Sequence, residues 1–221
     1  MKIAVIAAMS KEIALLLPLI ENHTEQAFQN ATYHLGRIHG HDVIVTQSEI
    51  GKVNAALATQ RLIEAFHPDL IINTGVAGGL GKTKVLDVIM PAAVAYHDVW
   101  CGPGTVGGQA DGCPPTFACL TDPRLAETDG INNGLIASGD IFVSKESEVR
   151  QILEMYPDAV AVDMESASIA HTCFKYSLPF ACIRVVSDTP GSDDNIAQYE
   201  SFWEDAPRAG FSALISFIKT L

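Results

Sequence analysis

The sequence predicts an α/β fold: a mostly parallel, mixed central sheet flanked by helices, in one domain spanning 1–221. Short apolar runs of buried-strand character, such as Lys2–Met9, Pro68–Asn73 and Pro179–Val186, alternate with segments of helical spacing. Several of these runs stop abruptly at acidic or glycine residues, as strands do where an open α/β sheet meets its ligand crevice. The 221 residues are 48% hydrophobic and 18% charged, enough for a full core and too apolar for a disordered chain.

Taken in order, Lys2–Met9 reads as a strand and the segment after it as a helix with Glu12 on its first turn. Ala31–Arg37 and Asp42–Ser48 alternate polar and apolar residues around Gly40, which predicts a strand pair. Val53–Phe66 carries Ala56, Leu57, Leu62 and Ala65 at helical spacing. Pro68–Asn73 is a buried strand running into a glycine loop, Thr74–Gly79. Asp87–Ala95 is a further strand, ending at Tyr96-His97-Asp98, and Trp100–Pro115, rich in Gly, Pro and Cys, is an irregular loop. Strands follow near Leu135–Ile141, Ala159–Val162 and Pro179–Val186, with helices after Lys145 and at Glu165–Tyr176. A last helix begins near Tyr199 and turns Phe211, Leu214, Ile215 and Ile218 to the core.

A formal charge of −12 opposes polynucleotide binding, because a phosphate backbone needs a basic footprint. It leaves a small uncharged nucleoside open as a ligand. The five cysteines form no CxxC pair and leave one over, a pattern suited to a reducing, cytoplasmic setting. Lys11, Glu12 and Pro18 interrupt the apolar N-terminal stretch, so neither a signal peptide nor a membrane span is expected.

Three carboxylates arrive at strand ends: Glu12 after the first strand, Glu165 after Ala159–Val162, and Asp188 after Ile183–Val186. Together they suit hydrolytic chemistry. Singly, Glu12 and Glu165 equally suit a charge placed at a helix N-terminus. Gly75-Val-Ala-Gly78-Gly79 lets a ligand approach the backbone closely, but it is neither GxGxxG nor a Walker loop. The first arginine, Arg37, falls in the hairpin, so the segment lacks the guanidinium a phosphate would need and suits a sugar or base. His34, His39 and His41 alternate on the hairpin and read as solvent-facing or structural; no metal and no cofactor is expected.

Across essentially its whole length the chain resembles the 5′-methylthioadenosine/S-adenosylhomocysteine nucleosidases, within the purine nucleoside phosphorylase superfamily. The resemblance is carried by Ala7-Ala-Met-Ser-Lys-Glu12, Ile50-Gly-Lys-Val-Asn-Ala-Ala56, Asn73-Thr-Gly-Val-Ala-Gly-Gly79 and Tyr96-His-Asp98. Ser138-Gly-Asp-Ile-Phe-Val143, Val162-Asp-Met-Glu165 and Arg184-Val-Val-Ser-Asp188 complete it, in the expected order. The resemblance implies a nucleoside phosphorylase-like fold and hydrolysis of the glycosidic bond in 5′-thio-substituted adenine nucleosides. It implies catalytic roles for Asp188, protonating adenine N7 with Ser187 beside it, and for Glu12, activating water with Arg184 in the same network. Glu165 is then the acceptor for the ribose hydroxyls. Phe142 stacks on adenine, the Val143 backbone reads the base edge, and Met9 and Met164 pack against the sugar. Val76 belongs to the ligand-contacting set, while Ile50 and Tyr199 line the 5′ pocket. A homodimer is implied as well.

The chain departs from the family pattern in four places. Val76 stands where serine is usual, Asp163 precedes Glu165 where Glu-Met-Glu is expected, and Glu49 replaces a small residue. The Trp100–Cys113 loop lacks the Phe and Tyr that reach across a dimer to the thioether pocket, with Trp100 or Val106 as substitutes. A futalosine-type hydrolase on the same fold is the alternative, and a phosphorolytic enzyme a weaker one, since Glu12 would repel phosphate.

Overall fold

The computed structural model describes residues 1–126, 131–205 and 209–221. Its sheet is organised around β1 (Lys2–Ala7), where Ile3 and Val5 turn to one face and Ala4 and Ile6 to the other. A continuous apolar run requires such two-sided burial. β4 (His41–Gln47) and β5 (Leu70–Gly79) flank β1 in parallel, and β12 (Phe180–Asp188) pairs in parallel with β5. Beyond β4 lie β3 (Ala31–Ile38) and the edge strand β2 (Glu21–Phe28), both antiparallel. On the other side β11 (Ala159–Asp163) runs antiparallel to β5 and leads to β10 (Leu135–Ser138), β7 (Ala93–Tyr96) and β8 (Phe117–Ala118). β6 (Val88–Ile89) and β9 (Ile131–Asn132) extend from β12. The sheet is thus mixed and parallel at its centre, as predicted.

Helices cover both faces. α1 (Ser10–Leu16) and α7 (Ala209–Thr220) bring Ile13, Leu16, Leu214 and Phe217 against Ile3, Val5, Leu70 and Ile72. α2 (Lys52–Phe66) and α5 (Ser166–Lys175) set Ala55, Leu62 and Ile169 against Ala4, Ile6, Ile71 and Cys182. α4 (Glu146–Met155) closes a smaller core through Ile152, beside Ala137 and Val162. A short α3 (Pro123–Ala126) and α6 (Asn195–Asp205) complete the described helices.

Several expected elements differ. The glycine segment Thr74–Gly79 is not a loop but the second half of β5, held extended by pairing Gly75, Val76 and Ala77 with Arg184, Val185 and Val186. Its glycines serve close packing: a Cβ on Gly78 would meet Pro190 Cγ at 2.5 Å, and one on Gly79 would meet Val186 Cγ1 at 2.6 Å. β2 has no counterpart in the sequence reading, because all its residues are exposed and show no apolar alternation. The predicted strand Asp87–Ala95 is two short strands, β6 and β7, which separate at Pro91. The last helix is two helices, with α6 opening at Asn195, before Tyr199. The side chain of Phe211 lies outside the described residues. No described helix is long and apolar enough to cross a membrane.

Candidate active site

Glu12 sits in the first turn of α1 and is 1% exposed. One carboxylate oxygen, Oε2, accepts the Met9 N–H at 2.8 Å and so caps its own helix. The other, Oε1, accepts the Val76 N–H of β5 at 3.0 Å. The residue thus caps its helix and also faces a cavity. Burial pushes its carboxyl above the usual range, while Arg184 and the backbone N–H donors pull it back only in part.

Glu165 is the N-cap residue of α5, yet its side chain makes no capping bond. That duty falls to Asp163, which accepts from the Ser166 N–H at 3.3 Å and its hydroxyl at 2.9 Å. Glu165 is free to turn into the cavity, where Oε1 accepts the Gly51 N–H at 3.0 Å and Oε2 pairs with Arg184 at 3.2 Å. Burial pushes its pKa up to about 7, with Arg184 opposing and Asp163 reinforcing the shift.

Arg184 lies inside β12 at 1% exposure, where a guanidinium needs carboxylate partners to stay charged; Nη1 and Nη2 have partners and Nε has none among the described residues. Nη2 reaches Asp163 Oδ2 at 2.8 Å, Glu165 Oε2 at 3.2 Å and Asn73 Oδ1 at 2.8 Å. Nη1 donates to the Val76 carbonyl at 3.2 Å. Burial disfavours its charge, but the Asp163 and Glu165 carboxylates outweigh that, so Arg184 stays protonated.

Asp188 ends β12, just past a register irregularity between Val186 and Asp188. A bulge re-aims the strand's last side chain, and Asp188 lines the same cavity. Ser187 Oγ lies 2.5 Å from Oδ1, and Asn195 Nδ2 donates to Oδ2. Burial raises the Asp188 pKa and these two hydrogen bonds lower it, with burial the larger effect.

Glu12, Asp188 and the ten residues expected to touch the nucleoside all come to the wall of one open cavity of about 590 Å³, whereas Trp100 and Val106 do not line it. Glu12, Val76, Glu165, Arg184, Ser187 and Asp188 form its polar floor, with Met9, Val143 and Met164 beside them. Ile50 and Phe142 stand at the mouth, 49% and 44% exposed. Tyr199 meets Phe142 edge-on with ring centroids 5.6 Å apart, and its hydroxyl reaches Met9 Sδ at 3.4 Å. The sequence reading missed Asn195, Asn73 and the Gly51 N–H. Asn195 follows Asp193-Asp194 and looks like any helix-opening residue, so no sequence signal marks it. Asn73 ends an apolar run, which is a detectable signal once the acid-terminated strands are considered as a set.

Comparison with known proteins agrees with this architecture. The phosphorylase superfamily model matches residues 2–219. A 5′-methylthioadenosine/S-adenosylhomocysteine nucleosidase of Chromohalobacter salexigens is 38% identical, covering 100% of this chain and 97% of its own. The nucleosidase of the same description from Streptococcus pneumoniae, solved with a transition-state inhibitor, superposes with a TM-score of 0.93 at 34% identity, covering 99% of each chain. A futalosine hydrolase mutant of Helicobacter pylori superposes at 0.91 with 26% identity, over 100% of this chain and 99% of that one. The chain belongs to the phosphorylase superfamily and, within it, to the 5′-methylthioadenosine/S-adenosylhomocysteine nucleosidases, which are N-glycosyl hydrolases.

Proposed function

We propose that this enzyme hydrolyses 5′-methylthioadenosine and S-adenosylhomocysteine to adenine and a 5-thioribose, with Glu12 and Asp188 as its catalytic pair. The observation that carries the reading is that three buried carboxylates, Glu12, Glu165 and Asp188, line one cavity together with the Arg184 guanidinium. Glu12, with its pKa raised, is a competent base for a water held at C1′. Asp188, also raised, can keep a proton for adenine N7. As the water oxygen bonds to C1′, its proton passes to Glu12, the C1′–N9 bond breaks, and the Asp188 proton moves to N7. Adenine then leaves as a neutral base.

Glu165 offers acceptor lone pairs to the vicinal ribose hydroxyls, whose hydrogen bonds favour its ionised form. Phe142 stacks on the base, the Val143 backbone reads its edge, and Met9 and Met164 pack on the sugar. Val76 borders the sugar, Ile50 and Tyr199 line the 5′ substituent, and Ser187 steadies Asp188. Phosphorolysis is disfavoured because Arg184, the guanidinium at this wall, is already engaged by Asp163 and Glu165. A phosphate would meet Glu12 in a site of low dielectric.

We infer that the enzyme is a cytoplasmic homodimer. Five unpaired cysteines suit a reducing compartment. Val53 and Leu57, four residues apart on α2, are 69% and 50% exposed, beside Ile50 at the cavity mouth. Such apolar exposure next to a site suits coverage by a second copy. The second reading, a futalosine-type hydrolase, draws on the Trp100–Cys113 loop, which exposes Trp100 and Val106 instead of the expected aromatics. A base-release assay over methylthioadenosine, S-adenosylhomocysteine, 5′-deoxyadenosine and futalosine-type nucleosides, with and without phosphate, tests both readings. Free 5-thioribose made without phosphate is expected. A ribose 1-phosphate product, or a strict need for phosphate, overturns hydrolysis.

A further inference from the structure

On the edge hairpin, His23 and Glu25 of β2 and His34 of β3 present one ligand atom each, all within 4.8 Å of one another. The placement follows from the strand register. Glu25 lies directly opposite His34, and His23 is two residues from Glu25 on the same strand. The β2–β3 ladder shifts between Glu21 and Thr24, where Asn22 has φ 54°. Gly36 makes room for that irregularity, since a Cβ there would sit 2.5 Å from the Glu21 carbonyl oxygen. The added twist of such a bulge leaves the His23 ring beside that of His34, centroids 5.2 Å apart.

Two of the spacings lie near the edges of a coordination polyhedron, and all three ligand atoms fall within 4.8 Å of one another. His23 Nε2 is 3.0 Å from His34 Nδ1, and Glu25 Oε1 is 3.5 Å from the same nitrogen. Zinc bonds to nitrogen and oxygen of about 2.0–2.2 Å give a tetrahedron with edges of about 3.3–3.5 Å. The His34 side chain is 12% exposed and so provides a held ligand, against 60% for Glu25. We propose that His23, Glu25 and His34 bind a divalent transition metal ion, zinc by the nature of the donors, which clips the edge strand β2 to β3.

Two borderline imidazoles beside one hard carboxylate suit zinc over calcium or magnesium, which take oxygen donors throughout. Coordination requires both facing nitrogens to present lone pairs, so each ring carries its proton on the far nitrogen: Nδ1 of His23 and Nε2 of His34. An exposed edge strand is otherwise free to fray or to pair with another chain. The site is four strands from β5 in the order β2-β3-β4-β1-β5, or about 19 Å at the usual spacing. Metal there acts on the hairpin and not on nucleoside cleavage.

The test is zinc titration of the chelator-treated full-length enzyme by calorimetry, with thermal melting in parallel. Wild type is expected to take up zinc and to melt higher with it. His23→Gln and His34→Gln should each weaken that binding by about tenfold or more, while His39→Gln leaves it intact. Glu25→His, which supplies a third imidazole, should retain or tighten binding. Base release at the wild-type rate in each variant shows that the fold is kept. Zinc affinity unchanged in both histidine variants, loss of binding in Glu25→His, or no uptake by wild type at millimolar zinc would each overturn the proposal.

Discussion

Glu12 and Arg184 meet across a single residue: Val76 donates its N–H to Glu12 Oε1 at 3.0 Å and accepts from Arg184 Nη1 at 3.2 Å. The acid from α1 and the guanidinium from β12 are thereby both tied to the backbone of β5. The gap that admits both is the missing side chain of Gly75. A Cβ there would stand 2.7 Å from Arg184 Nη1 and 2.8 Å from Glu12 Cδ, and the backbone φ is 144°.

Gly75→Ala is therefore expected to displace Glu12 or Arg184. Backbone strain at such a φ costs about 1–3 kcal/mol, and neither buried charged neighbour can retreat into solvent. Urea unfolding should show a loss of that order, and base release should fall more steeply than stability does. Wild-type activity in this variant would show that the wall yields easily.

Asp188→Asn tests the proton donor. The amide can still face Ser187 and Asn195, so the pocket keeps its shape. Turnover should drop by about a hundred- to ten-thousand-fold, with inhibitor binding largely retained in calorimetry. Near-normal turnover would remove Asp188 from that role.

Glu165→Gln and a 2′-deoxy substrate should delete the same contact. Hydrogen bonds to a charged acceptor are worth about 1.5–3 kcal/mol, so each change alone should lower base release. Combined, they should cost clearly less than the sum. Rates for the four pairings of enzyme and substrate decide it, and full additivity would place Glu165 outside the sugar site.

Glu165 should also shape the pH dependence of stability. Its folded pKa, raised to about 7 from 4.5, means the native state holds a proton that the unfolded chain releases earlier. Stability from this group is complete below the unfolded value and declines as pH rises through the folded one. The urea midpoint of wild type relative to Glu165→Gln should thus fall between pH 4.5 and pH 7.5. A difference independent of pH would mean that Arg184 keeps Glu165 ionised throughout.

The amino-acid order alone was enough to place β1, β3, β4, α2, α5 and β12. Each has a periodicity or an apolar run that only one kind of element can bury. The three carboxylates of the cavity wall were legible for a related reason: strand ends in an α/β sheet open onto the ligand crevice, so Glu12, Glu165 and Asp188 are marked by position, whereas Met9, Ile50, Phe142, Val143, Met164 and Tyr199 were marked only by the family resemblance. β2 was not legible, because its polar residues have no face to bury and its pairing is decided by β3. Nor was the extended form of Gly75–Gly79, which reads as a loop until β12 is laid beside it. Only the tertiary structure settles that Asp163, and not Glu165, caps α5, which frees Glu165 for Arg184 and the Gly51 N–H. The same holds for Asn195 on Asp188 and for His23 beside His34. Periodicity is a local property of the chain, whereas hydrogen bonds between residues as far apart as Met9 and Tyr199, 190 positions, depend on register and close packing, which exist only once the sheet has formed.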